Sequence, residues 1–249
     1  MDFGYINHEL NNNGYVEIDN FLTLNQVTRI KNFINNKKSL LKNNNFSLAN
    51  NELEDDVFNE IIYSKEVENL SNNILEKIAP TFNNIEKHVV LGVRDNSLKV
   101  KNQSIKQTAF HFDAYFLTIN IPITMPEDLK NGTQENQSGD LLLLANFRNF
   151  NTSIIKNIVM KFFFQNRFMR YLLSHNKFKN FFNIKRIKLS NSKIYLFYGF
   201  RTLHGVDTNF ESGERTTFLI HLHNPHSGSF FDKYIKNKHK KQRLNSIKK

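Results

Sequence analysis

Short apolar runs separated by turn residues fill two parts of the sequence, residues 86–145 and 190–225. Many short strand-like runs of this kind are typical of an antiparallel jelly roll. Between the two parts, apolar residues recur at helical spacing, and helix signals also precede the first part. The sequence therefore predicts a mainly β fold of the α+β class, with N-terminal helices and a helical insertion between core strands.

The 249 residues are expected to form a single domain, 1–249. We predict helical N-terminal support in residues 1–85, a β core in 86–145 and 190–225, a basic helical insertion in 146–189 and a basic tail in 226–249. Thr23 and Gln26 have the spacing of a capping box, which predicts a helix after Thr23. Another helix is expected after Ser64 and before Pro80. The asparagine-rich segment 43–51 is predicted to be a loop.

One strand-like run, residues 108–115, carries His111 and Asp113 two positions apart. Strand side chains alternate, so both should point to the same face. A later run brings His204, and Arg215 follows eleven residues further on. Two histidines and one carboxylate on one face of an octahedral ion leave positions open, as in non-haem Fe(II) oxygenases. His111 and Asp113 alone would equally suit an ordinary polar pair on a strand.

These four residues, in this order and spacing, resemble the Fe(II)/2-oxoglutarate-dependent dioxygenases, and the resemblance covers most of the chain. Residues 13–22, which precede a predicted helix, resemble the opening of the phytanoyl-CoA dioxygenase-like branch. The family's fold, and therefore the expected one, is a double-stranded β-helix of the cupin-like jelly-roll type.

The resemblance also implies the roles of the residues. Fe(II) would bind His111, Asp113 and His204, and Arg215 would hold the distal carboxylate of 2-oxoglutarate with Thr217 as a hydroxyl partner. The implied reaction consumes O2 and converts 2-oxoglutarate to succinate and CO2. Related halogenases lack the carboxylate ligand, so Asp113 favours hydroxylation of a C–H bond.

Strand alternation suggests further candidates. Tyr115 shares the parity of the His-x-Asp pair, Asn120 lies in the run that follows it, and Arg201 lies three residues before His204, so each is a candidate substrate contact. Plain packing, or a solvated surface position for Arg201, is the alternative. Alternation from Arg215 also places His221 in the interior, where a hydrogen-bonded core histidine is expected rather than a metal ligand.

The positive charge is concentrated in one window. The net charge is +11, and residues 141–206 contain no Asp or Glu but twelve Lys and Arg. Such a surface attracts anions, so we expect an anionic or lipid- or sugar-linked small substrate, and peripheral contact with anionic membrane is a further hypothesis. Nucleic-acid demethylases of the superfamily carry a second Arg six residues after the first. His221 occupies that position here, which disfavours nucleic acid.

The remaining composition sets broad limits. There are no cysteines, residues 1–5 do not resemble the start of a signal peptide, and no apolar run approaches the ~20 residues of a membrane span. We therefore expect a cytoplasmic enzyme, and nothing in the sequence indicates its oligomeric state. Two other hypotheses stay open: a catalytically inactive jelly roll whose basic insertion binds anionic membrane or nucleic acid, and a cupin-like metalloenzyme that needs no co-substrate.

Overall fold

The computed structural model describes residues 1–78, 86–95, 109–126, 139–150, 153–207, 213–230, 232–234, 236–237 and 241. Within these residues, nine strands form two antiparallel sheets, and seven α-helices flank them. This arrangement is consistent with the predicted α+β jelly roll. Residue 108 of the His-x-Asp run, Pro80 and most of the basic tail lie outside the described residues.

Six described strands form the larger sheet, in the order β1-β7-β4-β9-β3-β2. Their bounds are β1 Tyr15–Asp19, β2 Phe46–Ala49, β3 Lys87–Asp95, β4 Leu117–Thr124, β7 Lys193–Phe197 and β9 Glu214–Leu222. Neighbours in this sheet come from distant parts of the chain, because Tyr15 lies opposite Phe197 and Arg94 lies opposite Arg215.

Three described strands form the smaller sheet, in the order β6-β5-β8: β5 Leu141–Leu144, β6 Lys185–Ile187 and β8 Leu203–Val206. The free edge of β8 is extended by one further pairing. The amide of His111 donates to the carbonyl of His204 over 2.8 Å, and the amide of His204 donates back over 2.9 Å. This antiparallel bridge joins the His-x-Asp run to the strand that carries the second histidine.

Four helices support the larger sheet: α1 Phe3–Asn12, α2 Leu24–Leu41, α3 Asp56–Ile62 and α4 Lys65–Ile78. The predicted capping box is confirmed, since the amide of Gln26 donates to the Thr23 hydroxyl and the amide of Thr23 donates to the Gln26 side chain. These helices and the outer face of the sheet share one apolar core, which includes Ile30, Phe58, Leu70 and Phe218.

The loop predicted for residues 43–51 is wrong in its middle, where β2 pairs with β3. Phe46 and Leu48 alternate with Ser47 and are buried in the helix-covered core. The burial of these two side chains and the pairing of β2 with β3 outweigh the polar composition of the segment. The period-2 alternation was the signal that the flanking asparagines obscured.

The predicted basic insertion contains three helices, α5 Ile154–Phe164, α6 Arg167–Ser174 and α7 Asn176–Phe181. It also contains β6, which pairs with β5, so part of residues 146–189 belongs to the smaller sheet. Leu173 packs with Phe110, Leu142 and Leu203, and the helices thereby cover the outer face of that sheet. No helix among the described residues has both the length and the apolar character needed to cross a membrane.

The space between the sheets is lined by alternate residues of β4 and β9. Ile119 and Ile220 point into the helix-covered core. Their neighbours with opposite parity point the other way, among them Thr118, Asn120 and His221. Because these polar side chains are buried, the interior between the two sheets is where a chemical site can form.

Candidate metal centre

The structure brings the three predicted metal ligands together. The Nε2 atoms of His111 and His204 lie 3.6 and 3.5 Å from the same oxygen, Oδ1 of Asp113. One ligand atom from each residue falls within a group no wider than 4.8 Å, so the cluster could hold a metal ion. Adjacent donors about 2.1 Å from an octahedral ion stand about 3 Å apart, so only small movements are needed to close around one.

Backbone carbonyls orient both imidazoles. Nδ1 of His111 lies 2.9 Å from the carbonyl of Ala109, and Nδ1 of His204 lies 3.0 Å from the carbonyl of Thr202. A carbonyl only accepts, so each Nδ1 carries the proton. In the neutral ring the lone pair then sits on Nε2, which faces Asp113. A hydrogen bond of this kind is the usual support of a metal-binding histidine.

The second oxygen of Asp113 is held by polar side chains. The Thr118 hydroxyl donates to Oδ2 over 2.5 Å and lies 3.0 Å from Nδ1 of His221. Since that hydroxyl has one proton, His221 must donate through Nδ1. His221 is therefore the hydrogen-bonded interior histidine that alternation predicts. It supports the Asp113 carboxylate indirectly, through the Thr118 hydroxyl.

A glycine makes room for this carboxylate. The amide of Asp113 donates to the carbonyl of Gly199 over 3.0 Å. A Cβ at Gly199 would overlap both the Asp113 carboxylate and the Thr118 hydroxyl. The absence of a side chain at position 199 is thus a condition for the geometry of the cluster.

Charge and burial act in opposite directions on the cluster. Burial raises the pKa of Asp113, but the nearby His204 and His221 outweigh it and bring that pKa well below its ordinary value. For His204, burial lowers the pKa and the Asp113 carboxylate outweighs it, so the net shift is upward. Without a metal ion the site thus favours a carboxylate beside a protonated His204. A divalent cation supplies the same positive charge.

The cluster is open on one side. The His111 side chain is 46% exposed, whereas those of Asp113 and His204 are 9% and 8% exposed. On the buried side, Phe197 packs edge-on against His204 with ring centroids 4.8 Å apart. An ion held here would have free positions toward the His111 side.

Arg215 lies in the same interior and is 5% exposed. Its Nε donates to the carbonyl of Gly139 over 2.9 Å, and its Nη1 lies 3.5 Å from the Thr217 hydroxyl. Burial, the largest effect, and the charge of Arg94 lower its pKa to about 10. Among the described residues no carboxylate lies within 4 Å of its guanidinium. Both predicted co-substrate residues, Arg215 and Thr217, thus face the interior. Among the described residues, the Arg215 guanidinium has no carboxylate partner there.

The three predicted substrate contacts lie in different surroundings. The Tyr115 ring stacks on His221 with centroids 5.4 Å apart, so it borders the supporting layer of the cluster. Asn120 is 3% exposed, and its Oδ1 has no hydrogen-bond partner among the residues that the structure describes. Arg201 lies outside the cluster: its Nε donates to the Arg148 carbonyl and its guanidinium lies over Phe150. Its position is thus a packed one, rather than the solvated surface that was its alternative.

Sequence reasoning missed several residues around the cluster. Thr118 and Gly199 gave no motif signal, because their importance depends on where distant strands bring Asp113. Lys161 and Arg148 were recognised only as part of a positive window, although both act electrostatically on Asp113. Their helical and loop positions offered no spacing that would have singled them out.

No protein-family model matches the chain, and no curated protein sequence does. Solved structures do resemble it, and several of them are described as iron- or 2-oxoglutarate-dependent enzymes. The 2-oxoglutarate-dependent epimerase SnoN of nogalamycin biosynthesis has 11% identity and a TM-score of 0.58, covering 89% of this chain and 83% of its own. HygX from Streptomyces hygroscopicus, solved with iron bound, has 9% identity and a TM-score of 0.55, covering 88% and 85%.

A third similar structure is a prolyl-4-hydroxylase from Pseudomonas putida, with 9% identity and a TM-score of 0.50 over 90% of this chain and 99% of its own. At these identities the likeness establishes a shared fold. What the chain does must be argued from its own residues.

Proposed function

We propose that the protein is an Fe(II)- and 2-oxoglutarate-dependent dioxygenase that hydroxylates a C–H bond of a small, anionic or lipid- or sugar-linked substrate in the cytoplasm. The observation that carries this proposal is the pairing of two sites in one interior. The cluster of His111, Asp113 and His204 has one open side, and the buried Arg215 lacks a carboxylate partner among the described residues.

The residues fit an iron ion. Two neutral imidazoles and one carboxylate are the donor set that non-haem Fe(II) oxygenases use, with further positions left for small ligands. Both Nε2 lone pairs face Oδ1 of Asp113, and Thr118 holds the other carboxylate oxygen away. Bound iron would supply the oxygen-activating chemistry, while this chain positions the ligands and leaves the His111 side accessible.

Arg215 fits the distal carboxylate of 2-oxoglutarate. Its guanidinium is planar and can form two parallel hydrogen bonds to a carboxylate, and Thr217 adds a hydroxyl on the same face of β9. Asn120 faces the same interior with an unpartnered side-chain oxygen. An amide there can orient a polar group placed between the metal cluster and Arg215.

The strand order supports a double-stranded β-helix. From β3 onward the chain alternates between the sheets: β3 and β4 lie in the larger sheet, and the His111 bridge lies between them on the smaller sheet. After β5 and β6, strands β7, β8 and β9 alternate again. SnoN has been solved with Fe3+ and 2-oxoglutarate, and HygX with nickel and 2-oxoglutarate, on the same fold. Residues 13–22, which include the whole of β1, support the phytanoyl-CoA dioxygenase-like branch.

The first experiment is anaerobic addition of Fe(II) and 2-oxoglutarate, watched for the visible charge-transfer band of the complex. Air is then admitted and succinate is measured. We expect the band in the wild type, its loss in His111→Ala and its weakening in Arg215→Ala, with His8→Ala and Arg167→Ala as exposed controls. No band and no succinate from folded protein would support the inactive-binding hypothesis. Iron binding indifferent to Arg215→Ala would support a cupin-like enzyme.

The outer surface of the insertion supports contact with anionic membrane. Apolar side chains stand exposed along its helices, including Ile155 at 75%, Phe162 at 72% and Phe181 at 81%. Lysines and arginines lie between them, for example Lys156 and Arg167, and within the described residues these form no ion pair with a carboxylate. Apolar side chains with interleaved cations are what a peripheral membrane surface requires.

Flotation with vesicles tests this contact. We expect binding to anionic vesicles that weakens with salt, little binding to neutral ones, and loss of binding in Ile155→Gln/Phe162→Gln. The control is Leu24→Gln/Leu40→Gln, which changes two similarly exposed residues of α2. Equal binding to both vesicle types would contradict the proposal, and so would preferential binding to RNA.

A further inference from the structure

The buried residue of helix α5 is polar, whereas several of its apolar side chains are exposed to solvent. Asn157 is its buried residue, and its side chain accepts from Nη1 of Arg148 over 3.0 Å and lies 2.8 Å from Nε2 of His226. Ile155 and Phe162 are exposed. A surface helix ordinarily has the opposite arrangement, so the inward polar face needs an explanation.

Lys161 lies on this inward face, one turn after Asn157. Another turn on, Phe164 packs against Phe112 and Phe147, with ring centroids 6.4 and 4.8 Å apart. Lys161 is therefore held between the Asn157 contact and the Phe112 contact. Phe112 lies between the two ligands in the chain, although its side chain points to the opposite face by strand alternation. Lys161 therefore stands close to the backbone of the His-x-Asp run.

The electrostatics agree with this placement. Burial, the largest effect, lowers the pKa of Lys161, the Asp113 carboxylate opposes that shift, and the charge of Arg148 adds to it. The positive charge of Lys161 in turn contributes to lowering the pKa of His111 and of His226. Lys161 is thus a partly buried cation beside the metal ligands.

Arg148 adds a second cation to this side. It is 8% exposed, and its guanidinium lies between the rings of Phe112 and Phe200, at 4.2 and 4.3 Å from their centroids. Its Nη2 has no hydrogen-bond partner in the part of the chain that the structure describes. Among the described residues, no carboxylate lies within 4 Å of either Arg148 or Lys161. Two cations withdrawn from water without a counter-ion are costly unless an anion joins them.

This cationic side is separate from Arg215. The charges that act on Arg215 are those of Arg94 and Asp140, whereas Lys161 interacts with Arg148 and Asp113. The metal cluster therefore has one cationic group for the co-substrate, Arg215, and a second cationic group on the side of α5, Lys161 with Arg148. Once the first is taken by 2-oxoglutarate, the second is left for a different molecule.

We propose that Lys161 binds an anionic group of the substrate, a phosphate or a carboxylate, on the α5 side of the metal cluster. Arg148 is a positioning residue that anchors α5 through Asn157 and adds positive charge behind the site. This inference rests on the proposed function, because it assigns the substrate class to the same centre. It explains why α5 turns a lysine and an asparagine inward.

The test is calorimetric titration of inorganic phosphate, and separately of acetate, into the full-length protein after removal of metal with a chelator. Because the metal has been removed, neither phosphate nor acetate can bind to a metal ion in the cluster, and any binding observed is to the protein. We expect saturable binding of at least one anion, weakened at least tenfold in Lys161→Met and less than threefold in Lys161→Arg. Lys156→Met, an exposed lysine of the same helix, is the matched control and should bind as the wild type does. The anion that binds more tightly identifies the substrate's group.

Binding in Lys161→Met within twofold of the wild type would overturn the proposal, as would the absence of saturable binding of both anions. A parallel titration of 2-oxoglutarate into Mn(II)-loaded protein separates the two sites. There Arg215→Met should weaken binding and Lys161→Met should not. If Lys161→Met alone weakens 2-oxoglutarate, Lys161 serves the co-substrate and the inference is wrong. If 2-oxoglutarate fails to bind the wild type while anion binding still depends on Lys161, the anion site stands and the dioxygenase proposal fails.

Discussion

Replacing Thr118 by Val should weaken metal binding without disturbing the shape of the core. Val matches Thr in size and branching and removes one hydroxyl, which donates to Oδ2 of Asp113 over 2.5 Å in a position 1% exposed. Loss of a hydrogen bond that supports a metal ligand typically costs about 10–100-fold in affinity. That factor corresponds to about 1.4–2.7 kcal/mol. The metal-free protein should also lose about 1.5–3 kcal/mol, the usual worth of a hydrogen bond to a charged group.

Competition with a chelating dye measures the affinity for Zn(II) or Mn(II), and denaturant unfolding measures stability. Thr216→Val is the matched control. The Thr216 hydroxyl is equally buried and donates to the Glu214 carboxylate over 2.6 Å, but Thr216 lies on the face of β9 that points away from the metal cluster. It should cost stability and leave metal affinity unchanged. Metal affinity of Thr118→Val within twofold of the wild type, or an equal loss in both variants, would refute the role given to Thr118.

Three further predictions concern the same interior. Arg215→Met should lower 2-oxoglutarate affinity by about 30-fold or more, since truncating one partner of a buried charge pair costs about 2 kcal/mol or more. The metal-free variant should unfold at an equal or higher denaturant concentration, because it no longer buries an unpaired cation; clear destabilisation would contradict that account. Gly199→Ala should displace the Asp113 carboxylate, lowering both metal affinity and stability by about 1–3 kcal/mol, which dye competition and unfolding would detect. Wild-type metal affinity in that variant would show that the close approach is unimportant. Because Asp113 raises the pKa of His204, metal binding must displace a proton there. Metal affinity should therefore fall as pH drops below the raised pKa of His204. In the metal-free protein, the stability that comes from the His204–Asp113 pair is present below about pH 6.5 and is lost as pH rises through the folded-state pKa of His204. Calorimetry in two buffers of different ionisation enthalpy would reveal the proton release, and its absence would contradict the assignment.

The predicted ligands could be read from the sequence because their chemistry and spacing are local. His111 and Asp113 need only strand alternation to share a face, and Thr217 follows from Arg215 by the same rule. The capping box at Thr23 is equally local, since both of its hydrogen bonds span three residues. For these residues, the structure has the arrangement that the periodic pattern predicts.

The supporting residues could not be read in this way, because tertiary contacts decide them. Thr118 matters only where β4 passes behind Asp113, and Gly199 only where a carbonyl and a carboxylate meet it. The positive window from 141 to 206 suggested one large cationic surface. In the structure, acids from outside that window pair with part of it, since Arg186 contacts Asp207 and Lys193 contacts Glu17. A charge count along the chain carries no information about such pairing.

The backbone bridge between His111 and His204 has a consequence for how the protein matures. The two histidines are direct antiparallel partners although they lie 93 positions apart in the chain, and Arg215 joins the interior through strand pairs with β3 and β4. Pairings of such long sequence separation form slowly, because the chain must first lose the entropy of closing a long loop. A nascent or partly folded chain therefore holds scattered, weak donors for metal ions. Tight metal uptake becomes possible only when β8 has paired with the His-x-Asp run, so acquisition of the ion would report that this long-range pairing has formed.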